Sequence, residues 1–225
     1  MRIYVASAMV GDLVPLLGTG AFAGVVTTPS LLQRAGVLRD DVPHLVEELV
    51  GAGAREVCVP ARARDPEALL REARRVAAVH PEVTVAVPAT RGGLAAAAAM
   101  VREGRPVLVS ALHRPAQLLG AVHTGCRWVA PTVAGIDDSG VDGVAEVLRM
   151  QVLLDRGRRG DRAERGASPG THLLAADVRQ EERLLALAEA GVAAASVDPD
   201  LAAALLHDDR TSALVDAMER VPDLP

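Results

Sequence analysis

The sequence predicts one α/β domain, a (β/α)8 barrel, over all of its 225 residues. Eight short apolar or β-branched runs follow one another along the chain, and an amphipathic stretch follows each of them. This alternation is typical of a parallel sheet with a helix after every strand. Half of the residues are hydrophobic, which is enough for one sizeable core, and barrels of this length are commonly single domains.

The strands are predicted from the short runs. They are Ile3–Ala6, Gly24–Val26, Glu56–Val59, Val83–Val87, Pro106–Ser110, Trp128–Ala130, His172–Ala175 and Ala194–Val197. A doubly wound open sheet is the alternative, since no residue pattern shows closure directly. Its usual dinucleotide-binding loop is missing, because Gly18, Gly20 and Gly24 have the wrong spacing and precede a strand.

The helices are predicted from apolar residues at three- and four-residue steps. Asp65–Val79 begins with Asp-Pro, a common helix start, and Thr90–Glu103 and Arg179–Ala190 have the same periodicity. Two segments depart from the alternation. Residues 155–170 are charged, rich in glycine and without an apolar face, which predicts a mobile surface insertion. The tail, residues 208–225, is predicted to add one helix beyond the eight of the barrel.

Composition argues against several functional classes. A net charge of −5 argues against nucleic acid as the main partner, and no apolar run approaches the roughly 18 residues that span a membrane. The N-terminal residues read as a strand without a signal peptide, so we expect a cytoplasmic protein. Cys58, Cys126 and the histidines share no metal-ligand spacing. We therefore expect no metal and no cofactor.

The chain contains no lysine, and all 24 of its basic residues are arginine. A high content of alanine and arginine is consistent with nucleotide bias in the source genome. Such bias rarely removes every lysine that an enzyme needs, so we treat the absence as informative about chemistry.

Three motifs resemble one family. AGVVTTPSLL at 23–32 resembles AGVTTNPSII, VAVPATRGGLAAA at 85–97 resembles VKVPVTAEGLAAI, and WVAPTVAGIDDSG at 128–140 resembles YVAPYVNRIDAQG. These segments, in this order, are similar to the small transaldolases and fructose-6-phosphate aldolases. The resemblance covers nearly the whole chain apart from residues 155–170. It implies a (β/α)8 barrel, in agreement with the strand count.

The resemblance implies a Schiff base between a lysine on the fourth strand and a ketose carbonyl, because a desolvated amine can attack a carbonyl. Ala86 stands at the lysine position, and no other lysine exists to replace it. The α-amino group of Met1 belongs at the opposite end of the first strand. We therefore expect the covalent mechanism of the family to be absent.

Other positions implied by the resemblance are also altered. Where the family has an aspartate, an asparagine, a glutamine and a tyrosine, this chain has Ala6, Thr28, Val59 and Thr132, respectively. The family's phosphate contacts fall at Gly135 and Asp177, and a carboxylate at Asp177 disfavours a sugar phosphate. We predict that the mouth of the barrel, at the C-terminal ends of the strands, is wider and more apolar than in the family. The substrate-binding candidates are Ala6, Thr27, Thr28, Val59, Ala86, Thr132 and Arg179.

Three residues are candidates for catalysis. Asp177 follows the seventh strand, and an apolar surrounding without a charge partner would raise its pKa toward that of a general acid or base. The alternative for Asp177 is an N-cap of the helix that begins near Val178. Ser110 and His113 are predicted to bind or protonate the opposite oxygen, although a loop histidine is more often a surface residue.

Two functions remain open at this stage. The first is a non-covalent acid–base enzyme (isomerase, cyclase or lyase type) acting on a small, relatively apolar, carbonyl-containing metabolite, in specialised biosynthesis. The alternative is a non-catalytic pseudo-transaldolase, acting as a binding protein or as a partner subunit of an intact aldolase. In either case we expect a homo-oligomer, with apolar Ala213, Leu214, Ala217 and Met218 forming a stripe for a swapped C-terminal helix.

Overall fold

Eight parallel strands form a closed barrel in which each strand pairs with its neighbours in sequence and the first pairs with the last. This computed structural model describes residues 1–164 and 170–220, without the side chains of 158–164. The strands are β1 (Arg2–Ala6), β2 (Gly24–Val26), β3 (Val57–Pro60), β4 (Val83–Pro88), β5 (Val107–Leu112), β6 (Trp128–Pro131), β7 (His172–Val178) and β8 (Ala194–Val197). The predicted fold class is confirmed, and closure excludes the open sheet.

Helices follow the strands along the chain. They are α1 (Val10–Gly18), α2 (Pro29–Arg34), α3 (Val42–Gly51), α4 (Pro66–Ala77), α5 (Arg91–Arg102), α6 (Pro115–Val122), α7 (Val133–Asp137), α8 (Gly143–Glu164), α9 (Glu181–Glu189), α10 (Pro199–Ala204) and α11 (Asp209–Glu219). A 3-10 turn, Arg39–Asp41, lies between α2 and α3. Side-chain caps begin several of the helices: the Asp65 carboxylate accepts the Ala68 N–H at 2.7 Å at the start of α4, as its Asp-Pro sequence predicts.

The prediction of a surface loop from residue 155 is wrong for residues 155–164, whose backbone continues α8. The arginine, alanine and glutamate residues of this stretch have high helix propensity, which outweighs the missing apolar face. Residues 165–169 lie outside the described part of the chain. The predicted additional C-terminal helix is confirmed as α11. No helix among the described residues is both long enough and apolar enough to cross a membrane.

Side chains alternate along each strand between the barrel lumen and the surrounding helices. The lumen cluster takes residues from all eight strands: Tyr4, Val26, Cys58, Ala86, Leu108, Trp128, Ala130, Leu174 and Ala194. Trp128 fills much of the N-terminal half, where its ring meets Tyr4 edge-on at 6.1 Å between centroids. Toward the C-terminal half the lumen residues become small, as at Ala86 and Ala130.

A buried carboxylate organises the N-terminal end of the lumen. Glu56, 5% exposed, accepts hydrogen bonds from the Tyr4 and Thr84 hydroxyls at 2.6 Å each and from Trp128 Nε1 at 2.9 Å. Arg127 adds an ion pair at 3.4 Å, and the guanidinium of Arg2 lies at 3.9 Å. We call these residues the Glu56 network. Every polar atom of the carboxylate is satisfied, which is what a buried charge requires.

Close approach of the Glu56 backbone explains a glycine on the neighbouring strand. A Cβ at Gly24 would lie 1.9 Å from the backbone oxygen of Glu56, so no larger residue fits there without moving β2 away from β3. The short β2 is therefore held against the segment that carries the buried carboxylate.

Candidate functional site

The C-terminal ends of the strands, where barrel enzymes carry their chemistry, border two cavities. The large cavity, of about 750 Å³, extends from Ala86 and Ser110 outward between α2, α3 and α4. The small cavity, of about 590 Å³, lies beside Ala6 between α1 and α10. The large cavity is within the range of small-molecule sites, about 300–1,000 Å³.

The large cavity contains three of the predicted substrate-site or catalytic residues, Val59, Ala86 and Ser110. One of them needs a correction. Val59 belongs to the helix-facing cluster, whereas Pro60 is the β3 residue that pairs with Ala86 and shares its lumen side. Because side chains alternate along a strand, the mouth position of β3 is Pro60, and Val59 borders the cavity from the side of the helices.

Two residues at the mouth have a left-handed backbone, which is uncommon for residues other than glycine. Ala111 has φ of 59° at a bulge in β5, and Asp177 has φ of 58° at a bulge in β7. Both bulges lie at the C-terminal ends of strands. Such bulges re-aim neighbouring side chains, and strained backbone persists where the surrounding structure holds it. The pair of bulges therefore makes the mouth the candidate functional end of the barrel.

The Asp177 carboxylate forms a two-pronged ion pair with Arg179, at 2.9 and 3.2 Å. Its side chain is about half exposed, and it lines neither cavity. The interpretation of Asp177 as an N-cap is wrong, since α9 begins at Glu181 with Gln180 in the cap position. Asp177 instead donates its backbone N–H to the Ser196 hydroxyl at 3.2 Å. It therefore lacks both features expected of a general acid or base at an apolar mouth, namely burial and the absence of a charge partner.

Ser110 and His113, the other catalytic candidates, are both tied to nearby backbone. The Ser110 hydroxyl donates to the carbonyl oxygen of Val87 at 3.2 Å. His113 is exposed, and its Nδ1 lies 3.1 Å from the carbonyl oxygen of Ala111. Its Nε2 lies only 3.2 Å from the position that a Cβ on Gly135 would occupy. The glycine at position 135 thus makes room for the imidazole.

The three predicted threonines have different roles in the structure. Thr27 is buried, and its hydroxyl donates to the Cys58 carbonyl oxygen at 2.9 Å. Thr28 caps α2 by accepting the Leu31 N–H at 3.2 Å. Thr132 is bridged to Ala176 of β7 at the mouth. None of the three lines either cavity, so the structure does not bring them together with Ala86.

An ion cluster that the sequence analysis missed lies in the large cavity. Glu72 of α4 is 8% exposed and pairs with Arg75, at 3.0 and 3.1 Å, and with Arg39. Burial by itself would raise the pKa of Glu72, but the hydrogen bonds from Arg75 and Arg39 outweigh it and lower that pKa. Glu72 is therefore a fixed anion rather than a proton donor. A glutamate within the apolar stripe of α4 was the available signal.

A second ion pair occupies the side of the mouth near Gly135. The Asp137 carboxylate accepts from Arg183 at 2.5 Å and from the backbone N–H of Gly143, the first residue of α8, at 2.9 Å. The hydrogen bond from Arg183 lowers the pKa of Asp137. Asp137 thus joins α7, α8 and α9 and has a structural role.

Comparison with known proteins gives sequence matches over nearly the whole chain. The family model described as Transaldolase/Fructose-6-phosphate aldolase matches residues 10–223. A probable transaldolase of Anaeromyxobacter sp. (strain K) is 30% identical over 230 residues and covers 100% of both chains. A probable transaldolase of Phenylobacterium zucineum is 29% identical over 211 residues, which are 94% of this chain and 91% of that protein.

One solved structure is similar in fold. It is described as a cube-shaped, highly porous protein cage designed by fusing symmetric oligomeric domains, and it superimposes with a TM-score of 0.57 at 13% identity. The match covers 89% of this chain and 64% of the other. At this identity the likeness supports the barrel fold alone.

Proposed function

Because the chain belongs to the transaldolase/fructose-6-phosphate aldolase family yet contains no lysine, we propose that it is an enzyme that works without an imine. Its chemistry is non-covalent acid–base catalysis of the isomerase, cyclase or lyase type. Its substrate is a small, relatively apolar, carbonyl-containing metabolite of a specialised biosynthetic pathway, and no cofactor takes part. One observation carries the proposal: a ligand-sized cavity opens over Ala86, the position of the missing amine.

The lining of the large cavity supports an apolar substrate. Beside Ala86 stand Pro60 and Pro88, and the outer part is formed by aliphatic side chains such as Leu32 and Leu69. A substrate carbonyl placed over Ala86 would lie near Ser110, whose hydroxyl is part-buried and forms one weak hydrogen bond to backbone. Ser110 is the hydrogen-bond donor that we assign to the carbonyl oxygen, because a donor aimed at developing negative charge stabilises it.

Proton transfer is assigned to Asp177 and His113, which stand on opposite sides of Thr132 at the mouth. Asp177 is held by Arg179, so it would act as a base only when substrate competes for that guanidinium. With a substrate in hand, Asp177→Asn is expected to lower kcat by about 10²–10⁴-fold, the usual cost of a lost acid or base. Asparagine keeps the size of the side chain and tolerates the left-handed backbone. An unchanged rate would remove Asp177 from the mechanism.

The absence of an imine has a direct test. Borohydride is added to the protein with dihydroxyacetone or fructose 6-phosphate, and the intact mass is measured. We expect no adduct, except on the α-amino group of Met1. An adduct elsewhere in the chain would show that the proposed chemistry is wrong.

The second candidate is a non-catalytic barrel that binds a ligand or partners an intact aldolase. Two observations favour it. Asp177 is held in an ion pair with Arg179, and neither Asp177 nor His113 lines the large cavity. Turnover of carbonyl compounds by the protein alone distinguishes the two functions. A protein that binds ligand in the cavity and never turns it over is the binding protein. Activity that appears only on adding an intact aldolase indicates the partner subunit.

We also propose that the protein is a cytoplasmic homo-oligomer. Every residue of α11 is exposed, including Leu214 at 56% and Met218 at 62%, so its apolar stripe has no cover among the residues that the structure describes. A helix swapped onto a second copy would bury that stripe. Light scattering on the full chain and on a chain that ends at Asp208 tests this. An unchanged mass after truncation would contradict the swapped helix.

The cytoplasmic assignment rests on the two free cysteines, Cys58 and Cys126.

A further inference from the structure

The net charge of the residues that line the large cavity is opposite in sign to that of the whole protein. The chain carries a net charge of −5, but the cavity is lined by four arginines against one glutamate. We call this set the arginine cluster: Arg39, Arg62, Arg64, Arg75 and Glu72. The small cavity has the opposite balance, with Asp12, Asp198 and Asp200 against Arg34. A cleft lined by one sign of charge concentrates ligands of the other sign.

Two of the four arginines have no partner in the described part of the chain. Arg62 and Arg64 follow β3, are exposed, and form neither a hydrogen bond nor an ion pair there. Of the nearby carboxylates, Asp65 caps α4, Asp41 accepts the Leu38 N–H at 3.1 Å, and Asp40 interacts electrostatically with Arg75. None of these three carboxylates lines the cavity. The two guanidinium groups are therefore available to a ligand.

The other two arginines keep spare donors. Each guanidinium has five N–H groups, and Glu72 accepts only one hydrogen bond from Arg39 and two from Arg75. The pairing with Glu72 holds both side chains in place. Preorganised guanidinium groups lose little entropy on binding, and their parallel N–H groups match a pair of oxygens on a carboxylate or phosphate.

The rest of the cavity wall is apolar. Aliphatic side chains of α2, α3 and α4 line it beside the arginine cluster, and Ala86 lies at the inner end; the aliphatic residues are Leu32, Val42, Leu69 and Val76. A ligand that satisfies both parts has an apolar body and an anionic group. From this juxtaposition we propose that the arginine cluster is an anion-binding subsite, and that the protein's ligand is an amphipathic organic anion, a carboxylate or a phosphate ester.

The inference rests on the proposed function in one respect, that the large cavity is the ligand site. It places the anion on the side of β3 and α4, across the mouth from Asp177, whose carboxylate disfavours an anion on the side of β7. Binding is measured without turnover, so the subsite can fail while the proposed chemistry stands, and the reverse.

The test uses titration calorimetry at physiological salt with three probes of one chain length: octyl phosphate, octanoate and octanol. The protein is expected to bind one or both anions at least about tenfold more tightly than octanol, as one or more charge-assisted hydrogen bonds would give. Tighter binding of octyl phosphate identifies a phosphate ester, and tighter binding of octanoate identifies a carboxylic acid. Octanol bound as tightly as both anions, or no binding of any probe at millimolar concentration, overturns the subsite.

Matched variants test whether the arginine cluster is responsible for the preference for anions. The double variant Arg62→Gln, Arg64→Gln is expected to lose the preference for anions and to keep its affinity for octanol. The control Arg71→Gln, Arg105→Gln removes the same charge from residues that do not line the cavity and should keep the preference. Equal loss in both double variants would show that the whole-protein field, not the arginine cluster, selects the anion, and would overturn the proposal. Thermal unfolding of each variant checks folding. Little change is expected, because all four arginines are exposed and the one ion pair removed, Arg71 with Glu67 at 3.9 Å, lies at the surface.

Discussion

The two ends of the barrel lumen differ in how they handle polar groups. At the N-terminal end, the Glu56 network buries a charge together with the donors and cations that satisfy it. At the C-terminal mouth, the lumen side chains are small or apolar, as at Ala86 and Ala130, and the mouth instead carries two strained backbones. In this architecture the N-terminal end serves stability and the C-terminal end serves function. The difference separates a buried polar network at one end from an apolar, backbone-strained mouth at the other.

The largest expected effect concerns the Glu56 network. Glu56→Ala leaves the Tyr4 and Thr84 hydroxyls and Trp128 Nε1 buried without an acceptor, and Arg127 without its ion pair. Removing one partner of a buried charged group costs about 3–5 kcal/mol. We expect a loss of that size in the free energy of unfolding, measured by urea denaturation.

The matched control for this variant is Glu82→Ala, since Glu82 is exposed at the same end of the barrel. Surface substitutions usually change stability by about 0.5 kcal/mol or less. If Glu56→Ala cost no more than Glu82→Ala, the N-terminal end would not be the stabilising end, and the contrast between the two ends would fail.

A pH titration examines the same network through the only tyrosine of the chain. Burial, followed by the hydrogen bond to Glu56, raises the pKa of Tyr4 well above 10. Above pH 10 the unfolded chain releases the phenol proton while the folded chain retains it, so stability falls as pH rises, by about 1.4 kcal/mol per unit for this group. Tyrosinate absorbance should appear only when the protein unfolds.

Tyr4→Phe isolates this contribution from the two cysteines, whose pKa values burial also raises. The difference in unfolding free energy between native protein and variant should shrink as pH rises above 10. A tyrosinate signal from the folded protein near pH 10 would show that the N-terminal end admits water.

At the mouth, Ala86→Lys restores the missing amine. Because Ala86 borders the large cavity, the added side chain has room, and we expect a cost of about 1–3 kcal/mol, as for other enlarged core residues and smaller than for Glu56→Ala. Borohydride should now trap an imine with dihydroxyacetone. Aldolase activity should stay absent, since positions 6, 60 and 132 carry alanine, proline and threonine, which do not transfer protons. Full activity would mean that these positions matter little.

The fold was predictable because strand and helix periodicities alternate so regularly. The errors have local causes. β5 and β7 run two and three residues beyond their predicted ends, to Leu112 and Val178, since each contains a bulge that no sequence motif signals. The segment after residue 155 was predicted as a loop from its missing apolar face, but its backbone continues α8 to Glu164.

The candidate site was predictable only in part. Ala86 and Ser110 were found through aligned motifs, because strand ends of one family superimpose. The predicted position on β3, Val59, is one residue before the mouth position, Pro60. A shift of one residue moves a side chain to the other face of a strand. The arginine cluster was missed because Arg39 and Glu72 are 33 residues apart and meet only when the turn after α2 packs on α4. Charges that meet through tertiary packing leave no local pattern.

The smallest expected effect tests whether the strain at the mouth has a purpose. Ala111→Gly relieves the left-handed backbone, worth about 1–2 kcal/mol. It also adds unfolded-state entropy worth about 0.4–1 kcal/mol, so a net gain between zero and about 1.6 kcal/mol is expected. Ala89→Gly, at the mouth but without a positive φ, should only destabilise. If the bulge positions Ser110 for a ligand, Ala111→Gly should also weaken binding in the large cavity. Equal destabilisation by both glycines would show that Ala111 holds no strain, and the mouth would then differ from the N-terminal end in polarity alone.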